Sequence, residues 1–335
     1  MISRKFKYLG LVVVTLSALS AFYALKSFTP PIFSDNAVSE LTSIEINGEL
    51  QHLLIRGTDR NLPPLLFLHG GPGMPAMYLA HAFQRPLENE FVVVHWDQRG
   101  AGKSFHPDID PESLSISQLI SDTDELVDYL LARFRQGKIW LVGHSHGSYL
   151  GALYSQRYPE KLYAYIGIGQ IGDFERETEI QDAFLRDRLI DLGISQDTQI
   201  NGANREELLF KTGSELYGET SFLPLIFTGL GAMEYNLGDI LNVARGSSFS
   251  SANMTYDESR DLLGEVTDFA IPVAMIMGVH DMTTPVSLAE EYFQAISAPE
   301  KSWFMVEKAA HFPHYEQPQK FFEIMLELKE QWLNR

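Results

Sequence analysis

The sequence predicts an α/β fold: a mostly parallel central sheet flanked by helices, with a helical lid inserted in it. Three observations predict it. Short, continuously apolar runs recur along the chain, as strands buried on both faces require. Helical stretches alternate with those runs. Between residues 171 and 268 the alternation stops, and helical pieces with glycine- and serine-rich joints replace it. The expected organisation is a core over residues 34–170 and 269–335, a lid over 171–268, and a separate segment over 1–33.

That first segment has its own logic. Arg4, Lys5 and Lys7 precede an apolar run over residues 8–25, Lys26 follows, and Pro30-Pro31 stops any helix. The run is about the minimum for crossing a bilayer, and longer than most signal-peptide apolar cores. Basic residues ahead of it predict a cytoplasmic N-terminus, with the folded domain outside the cytoplasm. An uncleaved membrane anchor is expected. The alternative is a cleaved signal and a secreted or periplasmic chain. Against cleavage, the small-x-small triplet Ala18-Leu19-Ser20 lies inside the run, and Phe22-Tyr23-Ala24 puts a large residue where a small one is wanted.

Residues 42–56 read as two strands joined at Asn47-Gly48. Further strands are expected at 65–68, 91–94, 139–142, 163–168, 273–277 and 303–306. Helices are expected over 117–134, bounded by serine and Gly137, and over 148–158, closed by Pro159. Within the lid, 178–192 and 205–216 carry helical patterns.

Composition narrows the function. Hydrophobic residues form 45% of the 335-residue chain, enough for a core that needs no staples. With no cysteine, a thiol nucleophile, a disulfide framework and a thiolate metal site are excluded. A formal net charge of −18 without a basic stripe argues against a nucleic-acid partner. The histidines have no metal-ligand spacing, so neither metal nor cofactor is expected. Nothing in the pattern specifies an oligomer.

The chemistry sits in three places. Gly143-His144-Ser145-His146-Gly147 follows the strand at 139–142 and opens a helix. A strand-to-helix turn that tight admits only glycine at its flanks, and it lifts Ser145 to a helix N-terminus as a nucleophile. His69-Gly70-Gly71-Pro72-Gly73 follows the strand at 65–68. Backbone N–H groups of Gly70 or Gly71, with that of His146, are the expected oxyanion donors. Third, the triad order serine, acid, histidine selects Asp281, just past the strand at 273–277, and His311, past the strand at 303–306. Asp268 lies before its strand, at the wrong end of the sheet. His314 is the second choice as base, and His144, His146 and His280 are read as neighbours.

These motifs, together with Asp97-Gln98-Arg99-Gly100-Ala101-Gly102-Lys103-Ser104, resemble those of the proline iminopeptidase group of α/β-hydrolases over roughly residues 42–330. The elbow departs from that group, which commonly carries Gly-Gly-Ser-Trp-Gly. The resemblance implies a serine hydrolase that releases N-terminal residues from short peptides through a covalent acyl-enzyme. It also implies lid acids that hold the substrate's free amine, for which Glu175 and Glu234 are the leading candidates beside Glu177 and Glu179. A carboxylesterase or small-amide hydrolase is the alternative, and a non-catalytic binding protein on the same fold the third reading. Dehalogenase and epoxide hydrolase chemistry is disfavoured, because serine stands where those enzymes need aspartate.

Overall fold

The computed structural model describes Tyr8, Val12, Thr15, Ser17 and residues 21–333, with the backbone alone at Ala203. The expected membrane run therefore lies mostly outside the described residues. Among the described residues, no helix is long and apolar enough to cross a membrane.

Among the described residues, eight strands form one sheet: β1 (Val38–Ile46), β2 (Glu49–Gly57), β3 (Pro64–Leu68), β4 (Val92–Asp97), β5 (Ile139–His144), β6 (Leu162–Ile168), β7 (Val273–Gly278) and β8 (Lys301–Val306). Their spatial order is β1-β2-β4-β3-β5-β6-β7-β8. β1 pairs antiparallel with β2, and β2 with β4; every later pairing is parallel. Asn47 and Gly48 both take positive φ, as the two-residue hairpin turn demands. The fourth strand runs past the apolar stretch expected at 91–94, through His95 and Trp96 to Asp97. Burial, not side-chain polarity, carries it that far.

Side chains alternate across the sheet. Ile139 and Leu141 of β5 join one core cluster, and Trp140 and Val142 join the other. Helices α1 (Ile116–Phe134), α2 (His146–Arg157), α7 (Val286–Ala295) and α8 (Pro318–Leu333) cover the two faces, and α3 to α6 come from the insertion. α1 begins at Ser115, whose side chain accepts from the Gln118 N–H.

The insertion holds α3 (Phe174–Arg188), α4 (Gly202–Lys211), α5 (Leu223–Gly231) and α6 (Leu237–Asn253). α3 and α4 start earlier than the apolar pattern suggests; at α3, Asp173 caps the helix through the Glu175 and Arg176 N–H groups. Ile171, Leu262 and Val266 at the ends of the insertion belong to the main core cluster. The part that packs on its own is smaller, around Leu185, Leu189, Leu208 and Leu209.

In this strand order the chain crosses from β4 to the far side of β3 to lay down β5. The carboxyl ends of β3 and β5 thus flank a switch point, where a cleft opens in sheets of this kind.

Candidate active site

Ser145 sits between the end of β5 and the first turn of α2, with φ 53° and ψ −122°. That strained backbone is held by steric necessity. A Cβ on Gly143 would come within 2.2 Å of the Gly147 carbonyl oxygen, and one on Gly147 within 2.1 Å of the Leu68 oxygen. The two flanking glycines therefore let β5, α2 and the end of β3 close on one another. The Ser145 N–H donates to the Ile168 carbonyl at 2.9 Å, tying the elbow to β6.

Asp281 and His311 meet on loops after β7 and β8. His311 Nδ1 lies 3.0 Å from Asp281 Oδ2, with both side chains buried. Asp281 is itself held. Its Oδ1 accepts from the N–H groups of Thr283 and Thr284 at 2.9 Å each, and its Oδ2 from the Thr284 hydroxyl at 2.8 Å. Three donors on one carboxylate fix its orientation, and through it the tautomer of His311. Behind His311, His144 Nε2–H donates to the His311 carbonyl at 2.8 Å. Burial keeps His144 neutral. The second-choice base, His314, packs against Phe83 and His144 with its Nδ1 unpartnered, and burial lowers it to about 3.

Gly70 approaches Ser145 so closely that a Cβ there would lie 3.0 Å from Ser145 Cβ. Gly71 takes φ 115° ahead of a cis bond to Pro72. His69 shapes this loop: burial holds it near 4 and so neutral, its Nδ1–H donates to the Gly70 carbonyl at 2.9 Å, and its Nε2 accepts from the Gln98 N–H at 3.1 Å. His146 opens α2, where an N–H has no partner within the helix. The geometry thus gathers Gly70, Gly71 and His146 around Ser145, and the histidine ring itself is buried.

The Asp97–Ser104 motif is structural. Arg99 forms a buried pair with Asp122, Nε to Oδ2 at 2.8 Å, and Asn47 and Gln51 also donate to Asp122. Asp97 accepts from the Lys103 N–H at 2.8 Å and from the Tyr235 hydroxyl of the insertion, while burial lifts it to about 7.

A cavity of about 260 Å³ opens over Ser145 and His311. Its acids are not those expected from the sequence. Glu175 is exposed on the first turn of α3 and does not line the cavity. Glu234 is buried elsewhere, in the field of Lys26 and His81, with its carbonyl accepting from Lys103 Nζ. Nearness to a strand end favours Glu175 in the sequence, but α3 turns it outward; the aromatic beside it favours Glu234, but that residue is buried away from the cavity. The cavity is lined instead by Glu206 and Glu215. Glu215 Oε1 accepts from the Thr283 hydroxyl at 2.8 Å, and its carbonyl accepts from the His311 N–H at 3.1 Å. Burial raises Glu215 to about 7, and raises Glu206 as well. Arg205, also on the cavity, spends its charge on Asp182 at 2.9 Å. Glu177 is buried with its carboxylate on the Gly172 N–H, and burial holds it well above the usual carboxylate range. Burial by itself lowers His311, but Asp281, Glu215 and Glu177 outweigh it and lift the imidazole to about 9. Among the described residues, no group of three His, Asp or Glu is placed to hold a metal ion.

Comparison with known proteins agrees with this architecture. Residues 63–318 match a family model described as the alpha/beta hydrolase fold. The probable aminopeptidase YbaC of Bacillus subtilis is 33% identical over 306 residues, covering 85% of this chain and 94% of that protein. A proline iminopeptidase of Heyndrickxia coagulans is 25% identical over 277 residues, covering 78% and 88%. The crystal structure of a proline iminopeptidase-related protein from Thermus thermophilus superposes with a TM-score of 0.63 at 22% identity, over 88% of this chain and 98% of that one.

Proposed function

The chain belongs to the α/β-hydrolase fold family, where it is a proline iminopeptidase-like hydrolase, and on that premise we propose that it is a serine aminopeptidase acting on short peptides. In this reading His311 takes the Ser145 hydroxyl proton as Oγ attacks the scissile carbonyl. The oxyanion rests on backbone N–H groups of the Gly70-Gly71 loop and His146. Collapse breaks the C–N bond, and the proton on His311 passes to the leaving amine. Water, deprotonated by the same imidazole, then attacks the acyl-enzyme and frees Ser145.

One observation carries the peptide preference. Two carboxylates, Glu206 and Glu215, face the cavity of the triad, and the neighbouring cation, Arg205, is already paired. A partly desolvated ammonium needs such a partner, and a carboxylate raised by burial gains from receiving one. The pairing also suits catalysis: an ammonium on Glu215 cancels part of the field that keeps His311 protonated. Substrate binding then frees the base.

The test is a panel of aminoacyl-arylamides with free and acetylated amines, beside short-chain aryl esters. Acetylation is expected to lower kcat/KM by about 30- to 1000-fold, the scale of about 2–4 kcal/mol for a broken buried charge pair. In Glu215→Gln or Glu206→Gln most of that preference disappears. Equal rates on free and acetylated substrates reassign the enzyme to ester or amide hydrolysis and leave the triad roles standing.

For the N-terminus, the reading is an anchor over residues 8–25 with the hydrolase outside the cytoplasm. Its support is the length of the apolar run and the basic residues ahead of it. Membrane fractionation resistant to salt is the expected result. A mature N-terminus between Ala21 and Ser27 overturns it in favour of a cleaved signal.

A further inference from the structure

Helix α5 breaks the rule for a surface helix. Its nine residues carry no charge. Its inner side is apolar: Leu225 is buried, and a Cβ on Gly229 would meet the Tyr78 ring at 2.5 Å. Its outer side is apolar too. Leu223, Ile226 and Phe227 follow i, i+3, i+4 spacing and are 54%, 46% and 67% exposed. A helix apolar all round is ordinarily buried or in lipid. The next helix, α6, adds exposed Leu237 and Leu241, also one turn apart. Apolar patches of this extent mark a surface with a partner.

The chain itself points to that partner, because the N-terminal run ends on this helix. Lys26, the residue after the run, is buried and donates from Nζ to the Leu230 carbonyl at 2.6 Å, in the last turn of α5. Unsatisfied carbonyls and the helix dipole favour a cation there. Two residues on, the Phe28 N–H donates to the Met233 carbonyl at 3.1 Å, in the joint between α5 and α6. Lys103 Nζ holds the Ser27 hydroxyl at 3.0 Å. Phe22, Leu25 and Phe28 are themselves exposed beside these ties. Whatever plane receives the run is thereby brought to within a few residues of α5.

We propose that the outward face of α5, with Leu237 and Leu241 of α6 and with Phe28, is a docking surface for the lipid bilayer that the N-terminal run enters. The proposal rests on the anchor reading given above. Its driving force is apolar burial, since α5 has no charge and a net charge of −18 gains nothing from anionic lipid. The same elements roof the cavity, α5 through the adjoining Phe222 and α6 through Ser247 and Ser251. Docking therefore seats the roof of the active site against the membrane interface.

A chain without cysteine allows a direct test. The full-length protein is reconstituted with phosphatidylcholine vesicles as single variants Phe227→Cys and Leu241→Cys. Leu50→Cys, exposed in the β1–β2 hairpin, is the control. Each carries an environment-sensitive fluorophore and is checked for turnover of an aryl ester. Flotation with the vesicles reads the anchor, and quenching by spin-labelled lipid reads docking. The expected result is flotation of all three, with quenching at 227 and 241 several-fold stronger than at 50. Flotation with equal quenching at all three positions overturns the docking surface and leaves the anchor. A blue-shifted label at 227 that lipid does not quench overturns it too, because protein then covers the face. Failure to float removes the anchor, and the docking surface with it.

Discussion

The floor and the roof of the cavity are built in opposite ways. On the floor, each group assigned a role in the proposed reaction follows the carboxyl end of a strand: Ser145 after β5, Asp281 after β7, His311 beyond β8, and Gly70 after β3. Backbone clashes on all sides enforce that geometry, such as the 2.2 Å that separates a Gly143 Cβ from the Gly147 oxygen. The roof packs into the core through Phe210, Leu216, Leu225 and Tyr235, keeps a small cluster of leucines of its own, and is joined to the floor by polar ties between side chains as well. Gln181 Nε2 donates to the Thr283 carbonyl, Lys103 Nζ pairs with Asp239 at 2.6 Å, and the Tyr235 hydroxyl reaches Asp97. A floor that cannot yield keeps the chemistry fixed. The roof's side chains that line the cavity carry no such backbone constraint, and they leave selectivity free to vary.

The largest expected effect breaks the floor without touching the roof. Ser145→Ala is predicted to lower kcat by about 10⁴-fold or more with unchanged thermal stability, because the triad acts as a unit. His311→Ala is predicted to match it. His314→Ala, which removes a ring with no carboxylate partner, is predicted to leave substantial turnover. Progress curves with one aryl ester check all three. Near-normal turnover in the serine variant would falsify the assignment of the nucleophile.

This division also explains what was legible in the sequence. Ser145, Asp281, His311 and the glycine loops each follow an apolar strand at a fixed short distance, so local pattern and chain order suffice to point at them. The strand ends beyond residue 94 were not legible, because His95 and Asp97 are polar residues buried by tertiary packing. The acids of the cavity were not legible either. Glu206 sits on a helix and Glu215 in a joint, and only the path of the insertion turns them toward His311. Glu175 has the more suggestive place in the sequence, yet the cap at Asp173 starts its helix in a phase that exposes it. The threonines that orient Asp281 stand two and three residues after it, and a carboxylate followed at that spacing by two hydroxyl residues is the signal that could have found them.

A smaller effect tests the one place where the roof acts on the chemistry of the floor. Glu215 is among the carboxylates that lift His311 to about 9. A general base works once deprotonated, so kcat/KM is expected to rise with pH through the imidazole titration. Glu215→Gln removes a negative charge that favours the imidazolium. Its acid limb is therefore predicted to move to lower pH, even while turnover of free-amine substrates falls. The measurement is a pH–rate profile on an acetylated ester, which has no ammonium to pair with position 215. An acid limb that stays in place or moves upward breaks the link.

The smallest effect loosens a single tie between the two halves. Tyr235→Phe deletes the hydroxyl that donates to Asp97, leaving that buried carboxyl with the Lys103 N–H as its remaining donor and an Oδ1 that already lacks one. The expected cost is about 1–3 kcal/mol, with kcat/KM changed by less than about threefold because the triad is untouched. The pH dependence identifies the cause. Burial raises Asp97 to about 7 in the folded chain, so its contribution to stability is greatest below its unfolded value and is lost as pH rises toward 7. The tyrosine bond opposes that rise, since it favours the charged form. Without it the folded value climbs further, and the loss continues to higher pH. The deficit in Tm between the variant and the parent chain is therefore predicted to be larger at pH 8 than at pH 5. A deficit that is constant across that interval, or larger in acid, would mean that the lost hydroxyl does not act through the charge of Asp97.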